Sequence, residues 1–162
     1  MHQTVKPLHS HCNALTFFAL IGKKCVSVPL NSIYLLQKRF VRTATFSRRL
    51  DHSAPLFKQL KILSVFQINT FQICTFVFKF KHTPDHIPIG FHSYFQLNSE
   101  IHNYNTRQAS SLHPPLYSTT QGQFSIKYRG TILWDQYSTG PQPISLVCYK
   151  NTLKAILIDQ LT

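Results

Sequence analysis

Apolar residues recur at helical spacing from residue 33 onward. Ile33, Leu36, Phe40 and Ala44 repeat on one side of an α-helix, with Gln37 and Val41 beside them. Ser32 stands where an N-cap serine accepts a free backbone amide. The pattern predicts a helix over residues 33–44, its inner face formed by Ile33, Leu36 and Phe40. Lys38, Arg39 and Arg42 then fall largely on the outer face. A second helix is predicted from Ala54 to Leu63. Ser53 or Ala54 serves as its cap, Pro55 suits its first turn, and Leu56, Phe57, Leu60 and Leu63 point inward.

Residues 64–81 carry two periods at once. Ile73, Phe76, Val77 and Phe80 sit at the spacing of a buried helix, while Cys74, Phe76, Phe78 and Phe80 alternate as in a strand. The length of the run and a capping serine at Ser64 favour the helix. Pro84 and Pro88 end it, and a helical turn is expected around Phe91 to Leu97. Residues 98–122 are rich in Asn, Ser, Thr and Pro and read as a long irregular loop.

Phe124 to Tyr128 reads as a short strand, with Lys127 and Arg129 on its exposed face. Thr131 to Gln136 reads as a turn or helical start around Trp134, Gly140 to Pro143 as a connector, and Leu146 to Leu161 as a closing helix. The expected fold is therefore mainly α. It is a small helical domain over residues 32–162, with a minor β-hairpin element near residues 116–128. Residues 1–31 form an irregular N-terminal extension.

Charge sharpens this outline. The 162 residues include 17 Lys and Arg but only five acids, Asp51, Asp85, Glu100, Asp135 and Asp159, for a net charge of +12. Such an excess favours polyanions. It is concentrated between Lys38 and Lys61, where seven basic residues face one acid, Asp51. No two carboxylates lie close together in sequence, so no clustered acids announce metal-assisted phosphoryl transfer or a glycosidase pair.

Cys12, Cys25, Cys74 and Cys148 show neither zinc-ligand spacing nor the density of a disulfide framework. His82 and His86 are four apart, but Pro84 between them opposes a shared helical face. No enzyme, cofactor or small-molecule substrate is expected. The apolar run Ala14 to Ile21 is too short to span a bilayer. It also lacks a good signal-peptide n-region and an A-x-A cleavage site, so an intracellular setting fits better than secretion or a membrane surface.

Four segments have a familiar order: Leu36-Gln37-Lys38-Arg39, Pro55-Leu56-Phe57-Lys58-Gln59-Leu60-Lys61-Ile62-Leu63, Ile101-His102-Asn103-Tyr104-Asn105-Thr106-Arg107-Gln108, and Phe124-Ser125-Ile126-Lys127-Tyr128-Arg129-Gly130 followed by Ile132-Leu133-Trp134. In this order they resemble the region C-terminal to the polymerase core of non-LTR (LINE-type, jockey-like) retrotransposon reverse transcriptases, over about residues 32–160. Thr131 departs from the proline usual in such relatives, and Asp135 to Tyr137 departs from their Asn with a Leu-Pro step.

The resemblance implies no polymerase chemistry, because paired palm aspartates are missing from this sequence. It implies a non-catalytic remnant with sequence-independent affinity for RNA or DNA through backbone contacts. Lys38, Arg39, Arg42, Tyr104, Arg107, Lys127 and Arg129 are the matching positions, and Arg48 and Arg49 extend the charge of the first helix. A plainer alternative stands beside each of them. The helix cations form a solvated face, Tyr104 anchors a loop, and Trp134 plugs the core. For the whole chain, the alternative is a translation product with no evolved activity.

Overall fold

The computed structural model describes residues 23–103, 107–138 and 145–161, with the side chains of residues 23–29 left out. Seven α-helices make up the described residues: α1 (Lys23–Ala44), α2 (Ser53–Leu60), α3 (Val65–His82), α4 (Asn98–Ile101), α5 (Thr120–Gln123), α6 (Ile126–Tyr137) and α7 (Leu146–Asp159). Two 3-10 turns, Pro84–His86 and Ile89–Phe91, follow α3. The mainly helical class expected from the sequence is what the chain adopts.

The double period of residues 64–81 resolves as a helix because its start is well capped. Ser64 Oγ accepts from Gln67 N, and Gln67 Oε1 accepts from Ser64 N at 3.0 Å, a reciprocal capping box. This helix, α3, is the centre of the fold. Its Cys74, Val77 and Phe78 are fully buried against α6 and α7, which supply Thr131, Trp134, Tyr149, Leu153 and Leu157. Phe78 stacks on Tyr149 at 4.4 Å and 20°. A second aromatic group, Phe76, Phe80, Phe91, Tyr94 and Phe95, packs along α3 beside this core. Hydrogen bonds tie the last helix back: Lys58 Nζ donates to Asp159 O, Gln67 Nε2 to Leu157 O, and Tyr137 OH to Gln160 Oε1.

Among the described residues no single helix is long and apolar enough to cross a membrane. The bent pair α2–α3 has the length and composition, but the apolar side chains at the centre of α3 are buried in the core.

The structure departs from the sequence expectations at several points. First, α1 starts at Lys23, well before Ser32. A serine inside a helix costs only about 0.5 kcal/mol, too little to stop one. The helix therefore runs across the expected boundary at residues 31 and 32, and the rest of the extension, residues 1–22, lies outside the described residues.

Second, α1 is turned relative to its apolar pattern. Tyr34, Gln37 and Val41 face the protein, while Ile33, Leu36 and Phe40 are exposed, the last two at 61% and 65%. Gln37 is the reason. Its Nε2 donates to Leu63 O at 2.8 Å and its Oε1 accepts from Val65 N at 3.1 Å, which satisfies one carbonyl of the α2–α3 linker and one free amide at the start of α3. Tyr34 packs beside it on Phe57 and Phe66.

Third, the β element at residues 116–128 is absent. Residues 120–123 are α5 and residues from Ile126 onward are α6. The alternation of Ile126 and Tyr128 covers too few residues to outweigh the cap at Ser125, whose side chain accepts from Tyr128 N at 3.2 Å. Helical spacing then places Gly130, Thr131 and Trp134 together on α3. The turn expected over Phe91 to Leu97 is likewise displaced, to Ile89–Phe91 and Asn98–Ile101. The only pairing of extended residues among those described is an isolated bridge between Leu97 and Leu112.

Two measurements check this packing. Gln37→Leu lowers unfolding free energy by about 2 kcal/mol despite adding an apolar group, because it strands two backbone partners. Phe40→Gln changes it by less than about 0.5 kcal/mol. Urea melts that reverse this order would restore the face expected from the pattern. Gly130 is a tighter test of the α3–α6 contact, since an added Cβ would lie 2.9 Å from Phe95 Cε1 and 3.1 Å from Val77 Cγ2. Gly130→Val therefore costs about 2 kcal/mol by overpacking, and a variant as stable as the parent would contradict that contact.

Candidate nucleic-acid interface

The end of α1 is built by a Schellman motif. Ser47 N donates to Arg42 O at 3.0 Å and Phe46 N to Thr43 O at 3.2 Å. Phe46 occupies the left-handed position of this motif, with φ 53°. The segment beyond is fixed by Asp51. Its Oδ2 accepts from Arg48 N at 2.8 Å, and its backbone oxygen accepts from Arg42 Nε at 3.1 Å.

The chain thus curls back on its own helix, and Arg39, Arg42, Thr43, Phe46, Ser47 and Arg49 line one open depression of about 710 Å³. Three guanidinium groups share it. The one acid of this region, Asp51, is engaged by the backbone of its own turn. Such a surface offers charge-assisted and bidentate donors to phosphate oxygens.

The remaining basic positions fall elsewhere. Lys38 is half-buried, with its Nζ 4.3 Å from the centre of the Tyr34 ring. That cation–π contact lies within α1, one helical turn apart, and competes with any external anion. Arg48 is exposed but is not among the residues lining the depression. Arg107 is exposed in a turn whose shape is set by Asn98: its Nδ2 donates to Gln108 O and its Oδ1 pairs with His113 Nδ1, each at 2.9 Å. Tyr104 lies outside the described residues.

Lys127 and Arg129 are on a helix rather than on an exposed strand face, and both are half-buried. Burial pushes the Arg129 guanidinium below its ordinary pKa, and the nearby Cys74 works against that shift. The same burial pushes the Cys74 thiol up to about 12, so it is a packed core group rather than a reactive one. Cys148, by contrast, is exposed. Among the sequence candidates, then, the depression gathers Arg39, Arg42 and Arg49 and leaves the others apart.

Sequence reasoning missed Phe46, Thr43 and Ser47. The available signal was a Phe directly after a helical run at the place where glycine usually ends it.

A second cleft, of about 450 Å³, lies where the end of α3 meets α6 and the turn of residues 108–111. Lys81, His82, Trp134 and Asp135 line it, with Lys81 Nζ 5.3 Å from the Trp134 ring centre. Partial burial, then the Lys81 charge, holds His82 below its ordinary 6.5. Burial also raises the Asp135 carboxyl, and Lys81 opposes that rise. These groups are mutually screened side chains rather than an assembled acid–base pair. Among the described residues no group of three or more His, Cys, Asp or Glu is placed to hold a metal ion.

Comparison with protein-family models, with curated proteins and with solved structures finds no match to this chain.

The His82 shift carries a sign. Its depressed folded pKa means that the unfolded chain binds a proton more readily near pH 6.5, so stability is lost as pH falls through that value. The melting temperature should drop between about pH 7.5 and about pH 5.5, and His82→Gln should reduce the drop. An equal drop in both proteins would mean that His82 does not report the cleft.

Proposed function

We propose that the chain is a non-catalytic nucleic-acid-binding domain that grips the phosphate backbone without reading sequence. The observation that carries this is the convergence of Arg39, Arg42 and Arg49 on one open depression at a capped helix end. The +12 charge of the whole chain supplies long-range attraction for a polyanion. The order of segments resembling the C-terminal region of non-LTR reverse transcriptases supports the same reading. On it, the chain is a remnant of such a protein, separated from polymerase chemistry and retaining its backbone affinity. No small-molecule substrate or cofactor enters the proposal.

Counterion release gives the test. Binding to labelled duplex DNA should weaken steeply with salt. Replacing Arg39, Arg42 and Arg49 together with Gln should lower the slope of log affinity against log salt by roughly two to three. Replacing Lys127 and Arg129 should leave that slope nearly unchanged. A triple variant with the parent's slope would remove the depression as the binding face. Circular dichroism melts of the same variants establish that the fold is retained.

A further inference from the structure

Phe46 bears two local costs at one residue. Its backbone is held at φ 53°, where a side chain with a Cβ is disfavoured and glycine is the common choice. Its ring is 98% exposed, so no burial offsets that conformation. Lys61 shows the contrast. It takes the same left-handed position after α2, with Lys61 N donating to Lys58 O and Ile62 N to Phe57 O, but its side chain ends in a charge that water solvates. The left-handed backbone serves the cap of α1, but the ring finds no packing within the described residues, which makes the choice of phenylalanine here a marker of function.

The surroundings of the ring indicate its occupant. Phe46 is a wall of the depression lined by Arg39, Arg42 and Arg49, with the hydroxyl residues Thr43 and Ser47 between them. The ring therefore stands beside phosphate-binding groups on a turn held by the Asp51 hydrogen bonds. A flat π-face next to arginine side chains suits a ligand that presents phosphates and unpaired bases together. In a duplex the base faces are occupied by their neighbours. In a single strand they are free to stack on an aromatic side chain.

The geometry points to Phe46 as a base-stacking platform, which makes single-stranded RNA or DNA the preferred ligand of the depression. This rests on the nucleic-acid reading above and narrows it. The arginines hold phosphates whatever the strand's form, and Phe46 adds affinity only where a base is unstacked. Because the ring is exposed, its replacement leaves the core intact. Phe46→Gly even relieves the left-handed backbone, so it should melt no lower than the parent while losing the platform.

The experiment measures binding by fluorescence anisotropy to three probes of equal phosphate number: a mixed-sequence single strand, an abasic strand of the same length, and a duplex. The parent chain should prefer the mixed-sequence strand to the abasic one. Phe46→Ala and Phe46→Gly should each weaken binding to the base-bearing strand by about tenfold, and binding to the abasic strand and the duplex by less than about twofold. Phe46→Trp should retain the preference.

Equal losses on the base-bearing and abasic strands, or no loss on either, would overturn the stacking role while leaving phosphate binding in place. Absence of salt-sensitive binding to every probe would overturn the nucleic-acid reading itself, and this inference with it. Phe46-dependent binding to vesicles containing phosphatidylserine, without any preference for bases, would instead assign the ring to a lipid surface and overturn the proposal.

Discussion

Phe78 lies flat on Tyr149, and Trp134 closes against both at 6.4 and 5.9 Å. That triangle of rings joins α3, α6 and α7, and the rest of the structure depends on it. Aromatic side chains bury large areas for few rotatable bonds, so three of them can hold three helices in register. Tyr149 brings a hydroxyl into the core, and burial there holds it in its neutral form. Thr131, buried on the same face of α6, satisfies its own hydroxyl by donating to Tyr128 O at 2.7 Å.

The basic depression owes its form to a different principle. Its cations come from one helix and the turn that follows it, so their proximity is set locally by the Schellman motif and by Asp51. The core acts on it indirectly, by holding α1 through Gln37, Val41 and the ring of Tyr34. A surface built in this way is stiff at its backbone and open in front, which suits a ligand recognised by charge rather than by enclosing shape.

The exposed strip of Ile33, Leu36 and Phe40 follows from the same choice of face. An apolar periodicity marks which residues share one side of a helix; it does not decide which side the protein covers. On α1 that decision went to a glutamine, because the α2–α3 linker and the start of α3 leave a carbonyl and an amide whose burial without partners costs more than exposing a few apolar side chains. The helix over residues 126–137, where alternation predicts a strand, has a parallel cause. The short alternation of residues 124–128 suggests a strand, whereas Ser125 and the Gly130, Thr131 and Trp134 spacing belong to a helix that only the α3 surface makes worthwhile.

The sequence by itself determined the helical class, the capped start of α3, the closing helix from Leu146 and the concentration of cations between Lys38 and Lys61. These are local properties: periodicity, caps and charge act over one or two helical turns and need no distant partner. Tertiary structure alone decided that α1 turns Tyr34, Gln37 and Val41 inward, that Ile33, Leu36 and Phe40 are left exposed, and that Arg129 is half-buried near Cys74. It also placed Lys127 and Arg129 on a half-buried helix, apart from the depression of Arg39, Arg42 and Arg49. Each of those outcomes depends on which surfaces and free backbone groups other helices present, and no pattern within a single segment encodes that.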